Sequence, residues 1–202
     1  MQRPVLGFWF EFGSTYSYLA AMRIEALAHD RGISLDWHPF LLGPIFRKQG
    51  WETSPFNLHP AKGAYMWRDM ERTREALGLP FRRPDPFPQN GLMAARIAHV
   101  LRRGPWIGAF VRAVYAAEFG EGRDISDLSL LAGLLTDSGA PAQDVLAEAE
   151  STEAKIGLRA AVTEAEALGI FGAPSFVTPD RELFWGNDRL DDAVDWALRT
   201  VV

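Results

Sequence analysis

Apolar residues follow two rhythms along this chain. Val5-Leu6-Gly7-Phe8-Trp9-Phe10 is a short unbroken run of aromatic and branched residues, the pattern of a buried strand. Gly13-Ser14 breaks it. Tyr18, Leu19, Met22, Ile24, Ala26 and Leu27 then suggest a helix from about 15 to 30, with Ser14 at its N-cap and Gly32 closing it. Ile33 to His38 alternates and predicts a second strand. Two strands flanking one helix of this length make a right-handed βαβ unit.

Downstream, 39–60 reads as loop, punctuated by Gly43-Pro44, Gly50 and Ser54-Pro55. A helix is predicted over about 61–77, and a proline-rich connection (Pro80, Pro84, Pro86, Pro88) over 78–90. Helical patterns follow at about 91–103, 106–119, 127–137, 141–150 and 152–168. Strands return at 174–178 and 182–185 around a turn at Pro179-Asp180-Arg181, and a last helix starts near Leu190. The order β-α-β, helices, β-β-α predicts an α/β protein: a thioredoxin-like four-stranded sheet with an inserted all-helical domain. Residues 1–60 and 151–202 form the thioredoxin-like part and 61–150 the insert.

Composition narrows the function. Hydrophobic residues make up 48% and charged residues 23%, which suits a folded protein. A net charge of -5 argues against nucleic acid or an anionic membrane as main partner, since both need clustered positive charge. With no cysteine, disulfides, thiolate metal sites and dithiol redox chemistry are excluded. Glu11 ends the first apolar run too early for a signal-peptide core, and a cytoplasmic location is expected. P-loop, dinucleotide, His-Glu-x-x-His and Gly-x-Ser-x-Gly motifs are absent. The four histidines are scattered without metal-ligand spacing, so no metal is expected.

Four local features stand out. Phe12 to Leu19 forms a strand-to-helix turn where free backbone N–H groups favour an anion, with Ser14, Thr15 and Tyr16 as candidate binding residues; Ser14 is equally an ordinary N-cap. Thioredoxin-like proteins carry a Cys-x-x-Cys pair at this turn, and here the two slots are Ser14 and Ser17. Gly172-Ala173-Pro174-Ser175-Phe176 offers either a cis-proline beside a peptide-pairing backbone or a plain strand-edge proline. Asn187, Asp188 and Arg189 either cap the last helix or clamp a zwitterion. On the helix after Pro60, Lys62 is placed for a carboxylate, while Tyr65 and Trp67 either wall an aromatic pocket or pack into the core.

Taken together, these segments resemble the 2-hydroxychromene-2-carboxylate isomerase family, similar to kappa-class glutathione transferases within the DsbA-like thioredoxin group. The carriers are Ser14-Thr15-Tyr16-Ser17-Tyr18-Leu19, Pro39 to Gly43, Pro60-Ala61-Lys62-Gly63 with Tyr65 to Asp69, Asn90 with Ala94-Ala95-Arg96, Gly169 to Phe176 and Trp185 to Leu190. The resemblance implies glutathione as bound cofactor, a small aromatic substrate and a homodimer. It implies that Ser14 contacts the glutathione sulfur, that Ala173 beside Pro174 pairs with the cysteinyl part, and that Asn187, Asp188 and Arg189 hold the γ-glutamyl end. Lys62 lies near the glycyl end, with His38 and Asn90 near the substrate. Two departures stand out. Thr15 follows the serine where relatives carry proline, and the loop Gly50 to Asn57 lacks their Gly-Asn pair. Asn57 either replaces that asparagine or the contact is lost.

The reaction this implies is cis-trans isomerisation between 2-hydroxychromene-2-carboxylate and trans-o-hydroxybenzylidenepyruvate, or a close analogue, by reversible thiolate addition. A kappa-like transferase or peroxidase and a non-catalytic binding module are the alternatives.

Overall fold

A computed structural model describes residues 3–199 of the chain. The elements in order are β1 (Val5–Phe10), α1 (Thr15–Ala21), α2 (Ile24–Arg31), β2 (Ser34–Pro39), α3 (Leu42–Lys48), α4 (Pro55–Leu58) and α5 (Pro60–Ala76). Then come α6 (Leu92–Leu101), α7 (Ile107–Tyr115), a π turn (Ala116–Gly120), α8 (Leu128–Asp137), α9 (Ala142–Ala149) and α10 (Thr152–Ala167). The chain returns through β3 (Ser175–Val177), β4 (Leu183–Trp185), a short 3-10 turn (Asn187–Arg189) and α11 (Leu190–Arg199).

The strands form one sheet in the order β2-β1-β3-β4. β1 runs parallel to β2, with Val5 opposite Ser34 and Phe10 opposite Pro39. β3 is antiparallel to both neighbours, with Phe176 opposite Phe8 on one side and Phe184 on the other. The unbroken apolar run of β1 is explained by its central place, which buries both faces. Leu6, Phe8 and Phe10 pack with Trp37, Phe176, α11 and the helices α6 and α7. Trp9 points the other way, into Phe40, Ile45, Val162, Ala165 and Ile170 beneath α3 and α10. The first of these clusters runs without a break into Leu131, Leu135 and Val145 of α8 and α9.

The α/β class, the thioredoxin-like sheet and the block of helices between its halves are those the sequence predicts. Two details differ. The helix expected over 15–30 is two helices, because the chain turns at Met22-Arg23, where Arg23 has φ -124°. The Arg23 side chain reaches across to the Asn187 side chain and carbonyl and to Asp191. The stretch expected as loop contains α3 and α4. Both prolines taken as breakers stand in first turns, where the missing N–H costs nothing and the fixed φ helps. Ser54 caps α4, accepting the N–H of Phe56 at 3.3 Å, and Pro55 follows at the first helical position.

Candidate functional site

The site is a cavity of about 500 Å³ between the N-terminus of α1, the α3–α4 loop, the 87–89 segment and the 171–173 turn. Its floor is made by two backbone turns meeting from opposite ends of the chain. Ser14, the N-cap of α1, accepts the Ser17 N–H at 3.2 Å and donates its hydroxyl hydrogen to the carbonyl of Ala173 at 2.9 Å. The Ala173–Pro174 peptide is cis. The Ala173 N–H makes no hydrogen bond within the described protein. A hydroxyl donor and a peptide edge therefore lie side by side at the bottom of the cavity.

The walls are aromatic. Phe46 and Trp51 meet at a tilt, 5.6 Å between centroids, and Phe56 and Phe87 line the same space. Phe171 and Trp185 pair at 5.0 Å on the opposite wall. That pairing depends on Gly172, where a Cβ would lie 2.4 Å from the Trp185 indole nitrogen. Gly63 plays a similar part behind Phe56: a Cβ there would sit 2.3 Å from the Phe56 carbonyl, so glycine lets α5 touch α4. Two cations, Arg47 and Lys62, line the cavity, and neither has an ion-pair partner among the described residues. Lys48, next to Arg47, is by contrast held by Glu166 at 2.6 Å.

One acid reaches the cavity beside Ser14. The Glu11 carboxylate accepts the Gly13 N–H, and burial pushes its pKa from 4.5 up to about 7. Behind it the π turn carries Glu118 inward, fully buried, with no hydrogen-bond partner for either carboxylate oxygen. Burial first, and Glu11 second, hold the Glu118 carboxyl well above the usual range. Tyr115 donates to the Glu11 carbonyl at 2.9 Å, and burial raises its phenol as well.

The residues singled out from the sequence divide by position. Ser14, Thr15, Tyr16, Lys62 and Ala173 line the cavity. Tyr16 donates to Asp69 at 3.0 Å, and burial with that bond raises its phenol pKa. Asp188 is near enough to add to that rise, which places it on the Tyr16 side of the site. Asn187 is buried and its side-chain oxygen is held by Arg23. Arg189 is paired with Asp192 at 3.0 Å and Asp188 at 3.7 Å. Asn57 bonds to Thr53 and to the Phe87 carbonyl, bracing two cavity-lining segments from outside.

His38, Tyr65, Trp67 and Asn90 do not line the cavity. His38 stacks on Trp9 at 4.2 Å and pairs with Asp36 at 3.0 Å. Tyr65 is 63% exposed under Arg72. Trp67 packs edge-on against Phe87 at 4.6 Å, so it backs a lining residue instead of lining. Asn90 caps the backbone of Leu92, and its neighbour Gln89 takes the lining position. Sequence reasoning passed over Glu11, Arg47, Gln49 and the aromatic walls. The signal available was a carboxylate ending a buried strand and a loop carrying both Trp51 and Phe56. No group of three His, Asp or Glu side chains that could hold a metal occurs among the described residues. No described helix is long and apolar enough to cross a membrane.

A four-stranded mixed sheet, a cis-proline turn and a capped helix start facing it define a thioredoxin-like protein in which hydroxyls stand in the redox positions. The match to the DSBA-like thioredoxin domain spans residues 5–196, and the chain belongs to that family and, within it, to the 2-hydroxychromene-2-carboxylate isomerases. It is 33% identical over 188 residues to a 2-hydroxychromene-2-carboxylate isomerase of Sphingobium xenophagum, covering 92% of this chain and 94% of that one. Glutathione S-transferase kappa 2 of Caenorhabditis elegans is 27% identical over 210 residues, 96% of this chain and 92% of its own. A solved structure of a 2-hydroxychromene-2-carboxylate isomerase matches with a TM-score of 0.86 at 25% identity, covering 96% and 95% of the two chains.

Proposed function

We propose that this protein is a glutathione-dependent isomerase that interconverts 2-hydroxychromene-2-carboxylate and trans-o-hydroxybenzylidenepyruvate, or a close analogue. The observation that carries the reading is the Ser14–Ala173 hydrogen bond, which sets a hydroxyl donor beside a peptide edge under an aromatic cavity.

The residues present fit glutathione. Ser14 supplies a hydrogen for a sulfur anion, and Thr15 and Tyr16 begin a helix whose first N–H groups have no intrahelical partner. Ala173 offers a free N–H and a carbonyl to an extended peptide. Lys62 provides a cation for a carboxylate, and Asp188, on the Tyr16 side, an anion for an ammonium. When bound, the tripeptide supplies a thiolate, a nucleophile that adds reversibly to a conjugated carbon and leaves again. The chain's own residues do the rest. Ser14 stabilises sulfur in its charged form; a hydrogen bond to a charged group is worth about 1.5–3 kcal/mol. Phe46, Trp51, Phe56 and Phe87 exclude water and give a flat ring apolar walls. The unpaired Arg47 on the same wall is placed for the substrate carboxylate.

The test is absorbance-monitored interconversion of 2-hydroxychromene-2-carboxylate, with and without glutathione, plus mass analysis of the products. Glutathione-dependent equilibration without a conjugate is expected. An accumulating conjugate moves the assignment to the transferase reading favoured by the kappa-class relative. No turnover and no glutathione binding moves it to a non-catalytic module.

A further inference from the structure

Glu11 is a titratable group that the isomerase reading leaves unused, and its surroundings are unusual. It directly follows the apolar run of β1, so its side chain leaves the sheet at the base of the cavity. Gly13 gives it room: a Cβ there would stand 3.3 and 3.5 Å from the two carboxylate oxygens. The Glu11 carboxyl thus lies against the residue before Ser14, on the cavity wall. The groups facing it are few. Glu118 and Tyr115 stand behind it, both fully buried, and neither supplies a positive charge. Arg47, Glu52, Lys62 and Tyr16 line other parts of the cavity. A carboxyl so placed is cheap to protonate and has no cation of its own among the described ion pairs.

We propose that Glu11 is the proton acceptor that takes the thiol hydrogen of glutathione as the peptide binds, and holds it while the sulfur is charged. The proposal rests on the glutathione reading above. In this step the S–H bond breaks, an O–H bond forms on Glu11, and the electron pair stays on sulfur. No proton leaves the site, and the buried region carries one negative charge before and after. Glu118 keeps that arrangement by leaving a new proton on Glu11 no cation to compete with. With its value raised to about 7, Glu11 is ionised and ready above neutrality and already protonated in acid.

The experiment is calorimetric titration of glutathione into the protein in two buffers of different ionisation enthalpy, which counts protons exchanged per binding event. At pH 8 the wild type is expected to release almost none, whereas Glu11→Gln releases about one proton more than wild type, because the free thiol is still mostly protonated there. The γ-glutamyl ammonium is common to both titrations and cancels. At pH 5.5, where Glu11 is already protonated, the two proteins should give the same count. Glu118→Gln should keep the wild-type count at pH 8. Equal release by wild type and Glu11→Gln at pH 8 overturns the role of Glu11 while leaving glutathione binding intact. A shifted count in Glu118→Gln overturns the assignment of the proton to Glu11 alone. A full proton released by the wild type overturns the proposal without reference to any variant. Absence of binding heat from the wild type, confirmed by equilibrium dialysis, overturns the glutathione reading and this role with it.

Discussion

At the scale of single residues, the site sets a hydroxyl against two hard-to-ionise acids. Ser14→Ala removes a helix cap, worth about 1 kcal/mol, and the hydrogen offered to sulfur, worth about 1.5–3 kcal/mol. The expected result is a modest fall in melting temperature with turnover reduced roughly 10- to 100-fold, measured at saturating glutathione. Unchanged turnover would remove Ser14 from the reaction. The acids govern pH. Glu11 and Glu118 both have raised values, so the folded state holds more protons than the unfolded chain above about 4.5. Their contribution is complete below that value; that of Glu11, up to about 3 kcal/mol, is lost as pH rises through about 7, and that of Glu118 is lost as pH rises through its own raised value. His99, lowered by burial, works the other way, regaining stability as pH rises from its lowered value up to its ordinary 6.5. Asp36, lowered chiefly by its bond from His38, loses its contribution only in strong acid, below its ordinary 3.8. Melting curves should therefore show greater stability near pH 5 than near pH 8, and Glu118→Gln should flatten that slope. A wild-type optimum at pH 8 would contradict it.

At the scale of elements, the cavity depends on close approaches that only glycine permits. Gly63→Ala drives a methyl into the Phe56 carbonyl, a backbone atom that can yield only if α4 shifts. Overpacking of this kind costs about 1–3 kcal/mol. Because Phe56 lines the cavity, the Michaelis constant for the aromatic substrate should rise as well. A stable variant with unaltered kinetics would show that α4 does not shape the cavity. The strands and long helices were legible because their periodicity is strong and local. The prolines of α3 and α4 misled because a proline stops a helix interior but starts a first turn, and only the succeeding residues tell which. For the site, Ser14 and Ala173 were legible through their turn chemistry. His38 was not, since a strand residue's distance from a cavity depends on which face its neighbour Trp9 occupies. Arg47 escaped for the same kind of reason: nothing local separates it from Lys48, and only the fold gives one a partner and leaves the other bare.

At the scale of the whole molecule, the helices inserted between the two halves of the sheet do not carry a separate core. Phe8 and Phe176 of the sheet belong to the same apolar cluster as Phe110, Leu131 and Val145. The two parts should unfold as one. Phe110→Ala, which opens a cavity at a fully buried position, is expected to cost about 3–5 kcal/mol and to lower a single calorimetric transition on the order of 10 °C. Two resolved transitions, only one of them displaced, would show that the halves are thermodynamically separate.

The Ser14–Ala173 bond has one more consequence. The Ser14 hydroxyl hydrogen is engaged by the Ala173 carbonyl, which keeps a second lone pair. A visitor offering only an acceptor pulls the hydrogen away and strands a carbonyl, at about 1–3 kcal/mol. A visitor offering only a donor uses the carbonyl's second lone pair and leaves the hydroxyl where it is. The floor of the cavity therefore works as a two-key lock: the hydroxyl is released at no net loss only to a molecule that presents an acceptor for it and an N–H for the carbonyl together. Small anions and simple thiols each hold one key, and a thiol-bearing peptide holds both.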